Sequence, residues 1–121
     1  MYGRVKIYRN LTKRCWSVAS MQQPNYGLIV GYENHTILKN CNFIVGENSR
    51  QRVLRERSKN VHAWIVGHGV DMSSFKVDKR KLKSAYYNPY KVDSFIDFET
   101  NQRIDKAEIV VFHDDFRVSY M

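Results

Sequence analysis

No window of the sequence approaches the roughly 18 apolar residues in a row that a membrane-spanning helix requires. The opening Met1-Tyr2-Gly3-Arg4-Val5-Lys6 turns polar again by Tyr8-Arg9-Asn10, too soon for the apolar centre of a signal peptide. A cytoplasmic protein without membrane contact is expected. Cysteine is scarce: Cys15 and Cys41 lack Cys-x-x-Cys spacing, and each sits in an apolar stretch. They read as reduced thiols in or near the core, with a single disulfide open until distances are known. Two prolines and six glycines in 121 residues exclude a fibrous repeat or a disordered tract. There is no Gly-x-Gly-x-x-Gly, P-loop or Gly-x-Ser-x-Gly, and Gly67-His68-Gly69 is too short to cradle a phosphate. With no His-x-x-x-His pair and no Cys/His cluster, neither a metal nor a cofactor is expected. The Asp114-Asp115 pair after His113 suits a hairpin turn.

What the chain does carry is positive charge, unevenly placed. The net formal charge is +8. Arg50, Arg52, Arg55, Arg57 and Lys59 stand against Glu56 alone, giving +4; Lys76, Lys79, Arg80, Lys81 and Lys83 stand against Asp78 alone, giving +4 again. These two short runs hold the whole excess. Residues 1–91 carry 17 basic and 5 acidic residues, whereas 93–121 carry 3 basic and 7 acidic. A field of this asymmetry attracts polyanions and steers association.

Val5 to Tyr8 alternates apolar and polar, as a half-buried strand does. Cys15 to Ala19, Gly27 to Tyr32, Thr36 to Leu38 and Cys41 to Val45 continue a meander, with a break expected at Lys39-Asn40. The period then changes. Arg50 to Lys59 lacks Gly, Pro and aromatics and follows two candidate N-caps, Asn48 and Ser49, so a helix is expected there. Val53 and Leu54, with the stems of Arg50 and Arg57, would form its buried stripe; Arg52, Arg55 and Lys59, at i, i+3 and i+7, would share its exposed face. Val61 to Gly67 returns to strand chemistry, His68 to Ser74 is loop-like, and Phe75-Lys76-Val77 reads as a short strand. Lys79 to Tyr87 fits either a helical turn or an exposed strand. Ser94 to Phe98 alternates, and Ala107 to Phe112 with Phe116 to Tyr120 forms a closing hairpin. The class expected is α+β: a mostly antiparallel curled sheet or partly open small barrel with one helix at about 49–59, in one domain over 1–121.

The candidate contact surface is Arg52, Arg55, Lys59, Lys79, Arg80, Lys81 and Lys83, followed by Tyr86, Tyr87, Tyr90 and Lys91. Guanidinium groups fork onto phosphate oxygens, lysines add point charges, and rings stack unpaired bases. This chemistry suits RNA or DNA, single strands above all. His62 and His68 are candidates for an acid–base pair in a small metal-independent nuclease. Trp16 and Trp64 read as core anchors, Trp64 becoming a contact residue if it shares an open face with His62.

The stretch Arg57-Ser58-Lys59-Asn60-Val61-His62-Ala63-Trp64-Ile65-Val66-Gly67 resembles small early or accessory proteins encoded by tailed bacteriophages. Tyr87-Asn88-Pro89-Tyr90-Lys91, Ser94-Phe95-Ile96-Asp97 with Thr100, and Ile7-Tyr8-Arg9-Asn10-Leu11 are similar in the same way, over roughly two thirds of the chain. The resemblance implies a setting, the host bacterial cytoplasm. Small phage proteins of this sort often act on host machinery, and several classes inhibit nucleoprotein defence complexes, CRISPR effectors included. It carries over no catalytic residue. The first expectation is therefore a non-enzymatic binding protein that contacts nucleic acid or a host nucleoprotein complex through a cationic surface, and in its sharper form an anti-CRISPR-like inhibitor. A protein–protein or self-assembling accessory role, oligomeric state open, is the alternative; the nuclease is a third.

Overall fold

A computed structural model describes residues 2–121. Its elements are β1 (Arg4–Asn10), β2 (Cys15–Ser20), β3 (Ile29–Glu33), β4 (Thr36–Val45), α1 (Glu47–Glu56), β5 (Ala63–Gly69), β6 (Lys83–Tyr86), β7 (Ile96–Asp97), β8 (Lys106–Phe112) and β9 (Val118–Tyr120). All nine strands join one sheet in the order β3-β2-β1-β5-β4-β8-β9-β6-β7, and every pairing is antiparallel. The class is thus essentially all-β, which corrects the α+β expectation. The helix and one 3-10 turn (Lys79–Lys81) hold about 11% of the chain, too little to form a layer of their own.

The first two strands follow directly from the sequence. Val5 and Ile7 are buried and face Ser20 and Val18 across the ladder. Asn10 Oδ1 accepts the Lys13 amide, and Arg14 adopts φ 57°, which turns the chain into β2. The break expected at Lys39-Asn40 is instead a bulge inside one ten-residue strand. Asn40 takes the left-handed conformation (φ 53°), which asparagine tolerates, while the ladder to β8 runs on from Lys39–Ile109 to Cys41–Ala107. Opposite the bulge, a Cβ on Gly67 would lie 2.9 Å from Cys41 Sγ and 3.0 Å from the Lys39 carbonyl, so the close approach of β4 and β5 needs glycine there. Both cysteines are free thiols, and burial pushes Cys41 up to about 12.

The helix begins earlier and ends earlier than 49–59. Gly46, not Asn48 or Ser49, is its N-cap: the Gly46 amide donates to the His62 carbonyl (2.7 Å) and its own carbonyl accepts from Arg50 N (2.8 Å). Glu47 in the first turn complements the helix dipole. Arg57 then takes the left-handed conformation and ends the helix, leaving Ser58 and Lys59 outside it. Phe75-Lys76-Val77 is not a strand. That region is irregular and organised by Asp71, whose Oδ1 accepts from Ser73 N and Oγ and whose carbonyl accepts from Phe75 N. Lys79–Tyr87 contains both alternatives in succession, the 3-10 turn capped by Asp78 and then β6. His68, expected in a loop, continues β5.

The sheet curls around its core without closing. Trp16 on β2 donates its indole Nε1–H to the His113 carbonyl (2.8 Å) and meets Phe112 (5.0 Å) and Phe116 (5.3 Å) edge-on, although four places in the strand order separate β2 from β8. Arg9 donates to the Phe116 carbonyl (3.1 Å) across the same seam. Inside lie Ile7, Val18, Leu38, Ile65, Val110 and Phe112, all almost inaccessible. Phe95 and Ile104, from the segment flanking β7, cover the open side, with Phe95 against Phe43 (5.1 Å). β3 remains an edge, and Leu28, Ile29, Val30 and Tyr32 are exposed along it.

The covering segment is anchored by buried Asp97. Its carboxylate accepts the Tyr120 hydroxyl (2.6 Å) and the Glu99 and Thr100 amides (2.9 and 3.0 Å). Those donors, Tyr120 first, hold Asp97 below the usual carboxylate range, while burial and the facing carboxylate push Tyr120 up to about 12. Because the folded-state value is depressed, the stabilisation is present above the ordinary carboxylate pKa of about 3.9 and is lost as pH falls through the folded value. The thermal midpoint, followed by circular dichroism, is expected to drop in acid. Tyr120→Phe should lower it at neutral pH by roughly 3–6 °C and flatten the acid dependence. An unchanged acid profile in Tyr120→Phe would remove Asp97 as the anchor.

Candidate nucleic-acid interface

β1 and β5 pair only from Arg4–His68 to Ile7–Ile65. Beyond that point they part. Tyr8 and Asn10 stay with β2, opposite Ser17 and Cys15, while Trp64 and Ala63 stay with β4, opposite Ile44 and Val45. The split opens a pocket of about 600 Å³. It is lined by core residues (Ile7, Trp16, Ile65, Phe95), by Val53 of α1, and by Tyr8–Thr12, Arg57–His62 and Tyr87, Pro89 and Tyr90. Arg50 fixes α1 over this mouth: its side chain is 13% exposed, donating to the Pro89 carbonyl (3.1 Å) and pairing with Glu47 (2.9 Å).

Three polar atoms of pocket-lining residues are buried without a partner: Ser58 Oγ, His62 Nε2 and Tyr87 OH. His62 Nδ1 lies 3.0 Å from the Asn60 carbonyl, an acceptor, so Nδ1 donates. Burial pushes the Tyr87 phenol up to about 12, so it remains a donor. The Tyr87 ring lies between His62 (5.5 Å) and Phe95 (5.0 Å). The lining includes the cations Arg9, Arg57 and Lys59 and not one carboxylate. Beside it, Lys6 stands over the Trp64 ring at 5.0 Å, and half-buried Trp64 lies outside the buried core cluster.

The predicted residues divide into groups. Lys59, His62, Tyr87 and Tyr90 come together at the pocket, with Tyr90 59% exposed at its mouth. Arg52 and Arg55 are exposed on α1, but the three-residue ridge with Lys59 does not form, because the helix stops at Glu56. Lys79, Arg80 and Lys81 are exposed on the 3-10 turn before β6, and exposed Lys83 opens β6, about 13 Å of strand away from Tyr87. Half-buried Tyr86 packs on Phe98 (6.2 Å), and Lys91 is exposed. His62 immediately precedes β5 and His68 lies near its far end, about 20 Å along the chain, so they do not meet as an acid–base pair. Arg57, expected as a buried stem, is exposed, and only Val53 of the stripe is fully buried. Ser58 and Arg9 join the pocket without any signal in the sequence, since the turn at Arg57 and the parting of β1 and β5 bring them there.

The ion pairs among the described residues are Arg50–Glu47, Arg80–Asp78, Arg103–Asp105 and Arg117–Asp115. The carboxylates of 93–121 that pair therefore do so with arginines of their own stretch. Arg52, Arg55, Arg57, Lys59, Lys79, Lys81, Lys83 and Lys91 have no ion-pair partner among the described residues. No group of metal-ligating side chains occurs among those residues, and no helix there is long and apolar enough to cross a membrane.

A family model described as the Mycobacterium phage L5 gene 82 protein matches residues 1–120. The chain belongs to this gene 82 family. The gene 82 protein of Mycobacterium phage L5 is 30% identical over 117 residues, covering 92% of this chain and 90% of the relative. The resemblance to phage proteins read from the sequence is therefore correct, and it narrows to this family. No solved structure matches the chain. The gene 82 name is a gene number and carries no chemistry, so a function for this family member is argued from the surface described above.

Proposed function

We propose that this gene 82 family member is a non-enzymatic module that binds single-stranded nucleic acid in the host cytoplasm, through the cations around the α1 end of the sheet. One observation carries the reading: Arg52, Arg55, Arg57 and Lys59 are exposed and without an ion-pair partner among the described residues, and Arg57 and Lys59 line an aromatic pocket that has no carboxylate. Unpaired arginines and lysines keep their full attraction for phosphate, whereas neutralised ones would have to exchange one anion for another. Exposed Tyr90 with Lys91 beside it adds the ring-and-cation pairing that suits an unstacked strand better than a duplex. In a phage setting, such a strand is free RNA or DNA, or the exposed strand of a host nucleoprotein complex. Inhibition of a defence complex is the sharper form of the same reading.

Fluorescence anisotropy with a labelled oligonucleotide across a salt series tests it. Five phosphate contacts on a single strand give a slope of about −3.5 in log K against log salt, or about a hundredfold loss of affinity between 50 and 200 mM. No binding at low salt, or binding that ignores salt, overturns the proposal.

A further inference from the structure

We propose that two copies of this chain associate edge to edge through β3, each laying its β3 antiparallel to the other's, to form a closed and reversible dimer. The inference is independent of the nucleic-acid reading and uses another part of the sheet.

β3 ends the strand order and pairs with β2 alone, so the outer row of its N–H and C=O groups has no partner among the described residues. Folded proteins usually blunt such an edge with lysine, proline, a bulge or a covering segment. β3 has a bulge, opposite Val18 and Ala19, but Gly27 to Tyr32 contains no proline and no charge. Along it Tyr26 (56% exposed), Leu28 (60%), Ile29 (40%), Val30 (40%) and Tyr32 (49%) show apolar surface.

Charge selects the occupant. The chain carries +8, and two copies repel wherever their cations face each other. The stretch 15–38 is the exception, with Glu33 as its one formal charge in a chain that is 26% charged. The cation set against β3, Lys13 over the Tyr32 ring (4.9 Å), is balanced by the strand's own Glu33. Two copies therefore meet here without opposing cations, whereas a phosphate backbone finds no basic row. The sheet also makes the contact symmetric. Its other end, β7, is two residues long and Ile96 bridges on to Arg103, so it offers no comparable edge. β3 of one copy meets β3 of the next about a two-fold axis, and the assembly closes at two. About half of five side chains of roughly 180 Å² each leaves on the order of 450 Å² of apolar side chain per copy. Across two copies, with the backbone rows added, that reaches the low end of specific interfaces, about 1,200 Å², as suits a weak dimer.

Sedimentation of the full chain from about 5 to 500 μM, at about 0.05 and 0.5 M salt and without nucleic acid, tests this. A monomer–dimer equilibrium is expected, as tight or tighter at the higher salt, because screening removes the repulsion between two +8 chains. Amide exchange within Ile29–Glu33 should slow as concentration rises, since the outer N–H groups gain partners; this readout needs no variant. Val30→Lys sets like charges across the new pairing and should weaken it at least about tenfold. Met72→Lys adds the same charge at an exposed residue outside every strand and should change it less than about threefold. Melting curves matched to the parent establish that both variants fold. A monomer at every concentration overturns the proposal. So does a dimer that salt dissociates, one that leaves β3 exchange unchanged, or one that Met72→Lys weakens as much as Val30→Lys. Species that grow beyond the dimer overturn the closed pairing. None of these outcomes bears on nucleic-acid binding, so the two readings fail separately.

Discussion

Replacing Arg52, Arg55, Arg57 and Lys59 together by glutamine is expected to weaken single-strand binding several hundredfold at 0.1 M salt. The magnitude follows from counterion release. On a single strand each neutralised phosphate contributes about −0.7 to the salt slope, so at 0.1 M one contact is worth a factor of about five, and four contacts about 600. The salt slope should shrink by about 3 at the same time, which separates lost phosphate contacts from a general loss of structure. Glutamine keeps much of the aliphatic stem, and all four side chains are exposed, so folding is left alone. The control is Arg103→Gln with Arg117→Gln. Those guanidinium groups are already engaged by Asp105 (2.7 Å) and Asp115 (2.6 Å), and binding should change less than about threefold. If the control pair matters as much as the four, binding follows net charge and has no defined face.

Phe112→Ala is expected to cost 3–5 kcal/mol, roughly the range for deleting a fully buried phenylalanine. Phe112 is completely inaccessible and lies edge-on to Trp16 at 5.0 Å, on the seam where the curled sheet brings β2 over β8. Its removal leaves a cavity that two strands joined to different neighbours cannot collapse into. Against a net stability of about 5–15 kcal/mol, the loss moves the urea midpoint by about 2 M. A cost below about 1.5 kcal/mol would fit a flat sheet with a half-covered Phe112 and would contradict the curl.

Much of this architecture is legible locally. Alternation at Val5–Tyr8 and the asparagine turn at Asn10 place β1 and β2, since both depend only on neighbouring residues. The class is not legible, because the sheet is built by pairings distant in sequence, such as β1 with β5 and β4 with β8. A single clear helical period in the chain says little about how large a share it takes. The helix limits failed for backbone reasons: Gly46 is fixed by His62 from another strand, and Arg57 enters the left-handed region without glycine to announce it. Asn40 shows the opposite case, a turn-forming residue that serves as a bulge because a partner strand runs past it. The cations were legible as charges, and their freedom from carboxylates was not, since ion pairing is a matter of distance. His62 and Tyr87 could be singled out separately. Their meeting with Ser58 and Arg9 could not, because four separate segments supply the pocket.

Amide chemical shifts of the isotope-labelled protein, followed during titration with a short single strand, read the binding face residue by residue. The expected shifts concentrate at Arg52–His62 and Tyr87–Lys91, together with the Trp64 indole, and they fade as salt is raised. Shifts confined to the exposed β3 edge or to the 103–117 stretch, with the α1 end of the sheet silent, would contradict a nucleic-acid face at the pocket.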